Sequence, residues 1–112
     1  MKNFIAKGES VTVAAAPYDV LAGAGCLVGT MFGVAVNDAL TGAEVVLNLP
    51  GIYELTKIGS QAWTVGARVY WDDTNKRCTT VSTSNTLIGV AVEAVGAGAG
   101  ETLGKVRLNG SF

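Results

Sequence analysis

Few residues of this 112-residue chain have the chemistry for catalysis, and the pair Asp72-Asp73 comes first among them. There is no histidine, so general acid–base work would fall to carboxylates placed beside the proton they move. The pair stands within Asp72-Asp73-Thr74-Asn75 between two strand-like runs. There Asp is favoured because its carboxylate bonds the next backbone amides. Turn chemistry is therefore the expected role.

Two glycine patterns suggest phosphate binding, and both fail on spacing and context. Gly23-Ala24-Gly25 leads into strand-like residues where a dinucleotide fingerprint needs a helix, and the third glycine arrives one place late at Gly29. Gly100-Glu101-Thr102-Leu103-Gly104-Lys105-Val106 has three residues between its glycines instead of four, and Val106 stands where a hydroxyl should hold the metal. Cys26 and Cys78 lie among apolar or Thr neighbours with no Cys-x-x-Cys spacing. They read as buried free thiols, and without histidine a metal site is not expected. No catalytic residue, cofactor or metal is expected.

Trp63, Tyr70 and Trp71 come close together, and aromatic clusters can stack on sugars or bases. Tyr70 and Trp71 point to opposite faces of any strand that carries both. One core anchor and one surface or subunit contact is the expected division. Lys and Arg total 8 against 9 acids with no run of one sign, which argues against nucleic acid as a partner.

The elements that must position these residues are strands. Valine, threonine and isoleucine are abundant, and their β-branched side chains suit a pleated sheet. Residues 10–15 alternate, with Val11 and Val13 on one face. Residues 26–28 and 31–36 read as two buried strands joined by a Gly29-Thr30 turn. The uncharged run 20–36 that contains them is too short and too rich in glycine for a membrane span. Residues 43–49 form another strand, broken by Pro50-Gly51, and residues 52–56 alternate one wet and one dry face. Residues 60–63 read as an irregular loop or one helical turn. Residues 68–71 and 77–82 flank the Asp72 turn as the clearest hairpin. Residues 86–95 form a long strand whose Gly89 marks a bulge or a close backbone approach. Residues 104–108 close the series.

Strands at this spacing, with no sustained helical period, predict an all-β fold: a small antiparallel β-barrel or β-sandwich with at most one helical turn. One domain over residues 1–112 is expected, with residues 1–7 as an N-terminal arm. Much of the apolar content is Ala, which buries little area, so subunit contacts would supplement a thin core. The start Met1-Lys2-Asn3-Phe4-Ile5-Ala6-Lys7 lacks the apolar stretch and cleavage site of a secretory signal.

The stretch Ala62-Trp63-Thr64-Val65-Gly66-Ala67-Arg68-Val69-Tyr70-Trp71-Asp72-Asp73 resembles a family of small phage and prophage proteins, the capsid cement or decoration proteins. Similar matches run in order along the chain: Met1-Lys2-Asn3-Phe4-Ile5 with Gly8-Glu9-Ser10-Val11-Thr12-Val13, then Gly29-Thr30-Met31-Phe32-Gly33-Val34-Ala35, Gly51-Ile52-Tyr53-Glu54-Leu55, Thr86-Leu87-Ile88-Gly89-Val90-Ala91 and Val106-Arg107-Leu108-Asn109-Gly110. The resemblance implies a non-enzymatic subunit made in the host bacterial cytoplasm, which binds the major capsid protein on the capsid exterior and reinforces the lattice, often as a homotrimer. It carries over no catalytic residues. Phe4, Ile5, Trp63 and Trp71 are the expected protein-contact residues, the first two by adding a strand to a neighbour's sheet edge. A carbohydrate- or receptor-binding module of a phage particle is the alternative, on the strength of the aromatics near Asp72.

Overall fold

β-branched runs divided by turn residues leave the chain little alternative to sheet. The computed structural model describes residues 10–49 and 51–108, and among these it has nine strands and no helix. The strands are β1 (Ser10–Val13), β2 (Gly25–Val28), β3 (Met31–Ala35), β4 (Val45–Asn48), β5 (Gly51–Thr56), β6 (Arg68–Asp72), β7 (Arg77–Thr79), β8 (Thr86–Ala91) and β9 (Leu103–Leu108). The first four form one antiparallel sheet in the order β1-β4-β3-β2, and the other five form a second in the order β5-β9-β8-β6-β7.

The all-β expectation holds, and of its two forms the sandwich fits. A single parallel bridge, Lys57 to Cys78, joins the far edges of the larger sheet, with Ile58 N donating to Cys78 O at 2.9 Å. No ladder extends from it, so the barrel is not closed.

Each sheet has its own apolar cluster. Ala16, Val20, Cys26, Ala35, Ala39, Val45, Leu47 and Leu49 pack on the smaller sheet. Leu55, Trp63, Val69, Trp71, Cys78, Ile88, Ala91, Val106 and Leu108 pack on the larger one and take in Phe32 and Val34 from β3. These two β3 side chains carry the second cluster across to the first sheet. Strand alternation produces the pattern: in β9, Gly104, Val106 and Leu108 are buried while Leu103, Lys105 and Arg107 face out.

At Gly89 both expected devices occur together. The β6–β8 register passes from Val69–Gly89 to Tyr70–Leu87, so Ile88 is the extra, bulged residue, and it is buried. A Cβ on Gly89 would collide with the Arg107 backbone carbonyl. The Gly89→Ala variant should therefore lose about 1–3 kcal/mol of stability, read as a lower urea midpoint. An unchanged midpoint would show that β8 and β9 can separate at no cost.

Strand β8 is shorter than the expected 86–95. The chain bends at Val92 and Glu93, and Val95 pairs instead with Trp63, exchanging two backbone bonds of 2.9 and 3.0 Å. That bridge also sets residues 60–63 as a loop, with Ser60 at a φ of 58°.

Candidate interaction surface

Trp71 projects from β6 toward the smaller sheet, where its ring meets Phe32 at 5.0 Å between centroids and a 51° tilt. Its Nε1–H donates to Asp73 Oδ1 at 3.0 Å. Trp63 belongs to the same cluster, with its ring against Gly104 of β9. Its Nε1–H donates to Gln61 Oε1 at 2.9 Å, and Gln61 also accepts from Thr80 N and donates to Thr79 Oγ1. The exposures are 2% for Trp63 and 3% for Trp71, so both indoles are core anchors that offer a partner no surface. The division expected of Tyr70 and Trp71 is the one found, with Trp71 the core anchor and Tyr70, half-buried, on the outer face of β6; what changes is the expected contact role of Trp63 and Trp71, which burial leaves without exposed surface. These are the chain's two tryptophans, so no indole is free to stack on a sugar. Phe4 and Ile5 lie outside the described residues.

Turn chemistry accounts for Asp72. Its Oδ1 accepts from the amides of Thr74 and Asn75 at 3.1 and 3.2 Å, and its Oδ2 accepts from Asn75 Nδ2 at 2.8 Å. These bonds, the Asn75 side chain first, hold its carboxyl below the usual range. Asp73 pairs with Lys76 at 3.2 Å and receives the Trp71 indole proton. The glycine pattern at 23–25 is likewise structural: a Cβ on Gly25 would lie 2.6 Å from Phe32 Cζ and 3.0 Å from Trp71 Cη2. Gly25 is small so that the two rings can meet.

Between the sheets lies a cleft of about 370 Å³ lined by Tyr18, Glu54, Trp71, Lys76 and Leu103 among others. Tyr18 Oη accepts from Leu27 N at 2.9 Å, and Lys76 Nζ sits 4.0 Å from the Tyr18 ring centroid, a cation–π contact. Burial raises the Tyr18 phenol and the Cys26 thiol above their ordinary values. Both therefore stay protonated at neutral pH. Sequence reading treated Pro17-Tyr18 only as the end of a strand and missed this bracket between the sheets.

Lys57 was also missed. It is 1% exposed, its Nζ donates to the carbonyls of Ile58 at 2.8 Å and Glu101 at 3.1 Å, and the ammonium stands 5.5 Å from the Trp63 ring centroid. Burial lowers its pKa, with Glu101 opposing. The interaction is a strut from the end of β5 to the loop before β9.

What remains for contact is the outer surface. Leu21, Leu40, Ile52, Val65 and Leu103 are all more than half exposed, and Leu87 is 39% exposed. Leu21 and Leu40 flank the Val20–Ala39 bridge, and Leu87 lies beside Arg68 and Arg107 on the larger sheet. Exposed apolar side chains beside charged ones are of the kind that protein–protein contacts use.

No curated protein and no solved structure matches the chain. A family model described as phage cement protein matches residues 5–108, nearly the whole sequence. The all-β chain with buried aromatics and charged, apolar outer faces thus belongs to the phage cement protein family.

Proposed function

We propose that the protein binds the outer face of the capsid lattice, on the major capsid protein, and stabilises it without catalysing a reaction. The family match over residues 5–108 carries this reading, and the exposed Leu and Ile side chains supply apolar area for the contact. The subunit acts as a homo-oligomer, a trimer in the favoured case, and joins the particle after synthesis in the host cytoplasm. One domain does this work.

Adding purified protein to undecorated, expanded capsids should give saturable binding and a higher temperature of capsid disruption. No binding across several salt and pH conditions would overturn the reading.

Residues 1–7 precede β1, which is an edge strand of the smaller sheet, and Phe4 and Ile5 are assigned to the lattice contact. Deleting residues 1–7 should weaken capsid binding about tenfold or more, equivalent to about 1.4 kcal/mol, and leave the urea midpoint of the free protein in place. Undiminished binding by the shortened chain would remove Phe4 and Ile5 from the contact.

A further inference from the structure

Two charged, apolar surfaces of opposite sign are present, one on an isolated bridge outside the named strands and one on the larger sheet. The first is built on the Val20–Ala39 bridge, whose two backbone bonds are both 2.9 Å. Val20 and Ala39 face the core. Alternation then turns Asp19, Leu21, Asp38 and Leu40 outward, with Asp19 across from Leu40 and Leu21 across from Asp38. The leucines are 69% and 72% exposed. Both carboxylates are fixed in place. Asp19 Oδ1 accepts from Thr41 N and Oγ1 at 2.8 Å each, and Asp38 Oδ1 accepts from Ala22 N at 2.7 Å. Each keeps its second oxygen without a bond among the described residues.

The second surface is a groove of about 270 Å³ on the outer face of β6, β8 and β9, lined by Arg68, Leu87, Gly89, Val90, Arg107 and Leu108. Strand pairing sets Arg68 opposite Val90 and Val90 opposite Arg107, so a cation stands on each side of an apolar floor. Neither guanidinium has an ion pair or side-chain hydrogen bond among the described residues.

We propose that copies of this chain associate head to tail, the Asp19–Leu21–Asp38–Leu40 patch of one copy seating in the Arg68–Leu87–Val90–Arg107 groove of the next. Two fixed carboxylates flanking two leucines match two unpaired guanidinium groups flanking Leu87 and Val90, and arginine pairs with carboxylates through two parallel bonds. Because patch and groove are different surfaces, the contact is heterologous, and its repetition closes a ring when the rotation allows. The proposal deepens the decoration-protein reading and rests on it for the setting of the assembly, not for the contact's chemistry.

The test uses the full chain in sedimentation-velocity runs over a range of concentration and salt. The paired substitutions Arg68→Glu with Arg107→Glu, and Asp19→Lys with Asp38→Lys, alter exposed side chains and set like charges against each other. Each pair should weaken self-association about a hundredfold. Combining all four restores opposite charges and should bring association back to within about tenfold of the original. Rising salt should weaken the unsubstituted assembly, which checks the contact without any variant.

A protein that stays monomeric, an association indifferent to salt and to both pairs, or a four-substitution chain no better than its parents would each overturn the proposal. So would paired variants that self-associate normally but lose capsid binding, since the groove would then belong to the lattice. Association that behaves as described in a protein that binds no capsid would sink the decoration reading and leave this contact standing.

Discussion

Replacing Trp71 with alanine is expected to lower the free energy of unfolding by about 4 kcal/mol, a large share of what a domain of this size has. The indole is 3% exposed and joins the two sheets through Phe32, over the space that Gly25 leaves open. Its removal leaves a cavity where neither sheet can collapse without moving the other. Trp71→Phe keeps a ring against Phe32 and loses the bond to Asp73, which stays paired with Lys76 at the surface. Its cost should be about 1–2 kcal/mol. Urea titrations followed by circular dichroism would read both values. A Trp71→Ala protein of unchanged stability that fails to bind capsids would return Trp71 to the contact surface. The structure requires the reverse order, with stability falling first.

The strands were legible because their signals are local. Alternation in residues 52–56, the Asp72 turn and the glycine within the strand at 89 each report on neighbours only a few positions away. The faces of Tyr70 and Trp71 were legible only as opposite. Which face is inner depends on β3 of the other sheet, some forty residues earlier, and no local pattern records that. The same limit left barrel and sandwich undecided, since closure depends on how β5 meets β7, and they meet at the single Lys57–Cys78 bridge.

Lys57 is a different case, because a signal was present. It continues the parity of Tyr53 and Leu55, which face inward, and strict alternation places it inside. Charge argued against burial, and of the two backbone carbonyls that compensate it, Ile58 O is the next residue's while Glu101 O comes from a loop the sequence does not tie to β5. The outward square of Asp19, Leu21, Asp38 and Leu40 was hidden for the same reason, since a single bridge between residues nineteen apart assembles it. The capsid role was legible only through family resemblance. Contact surfaces of this kind have no motif, unlike a metal site or a phosphate loop.

Alkaline pH should destabilise the protein through Cys78, and the size of the effect follows from its burial. The thiol is fully enclosed in β7 opposite Trp71, and burial pushes its pKa up to about 12 from an ordinary 9.0. Below pH 9 the thiol is protonated in folded and unfolded chains alike, and its contribution to stability is complete. Between pH 9 and 12 the unfolded chain releases the proton while the folded chain keeps it, so stability falls by about 1.4 kcal/mol per pH unit, about 4 kcal/mol in all. Cys26 acts with the same sign above its ordinary 9.0, and Tyr18 does so above 10.0. Lys57 acts against them: its folded pKa lies below 10.5, so folding gains as pH rises through that lower value toward 10.5. Total stability therefore mixes opposing contributions, and the Cys78 share is isolated by difference. Cys78→Ala should cost about 1–2 kcal/mol at pH 8 through lost packing. By pH 11 the original protein has lost about 2–3 kcal/mol that the variant cannot lose. The two stability curves should then meet or cross between those values. Curves that stay parallel from pH 8 to 11 would mean that the buried thiol exchanges its proton as an exposed one does, and that β7 opens far more readily than its place between β6 and Lys57 allows.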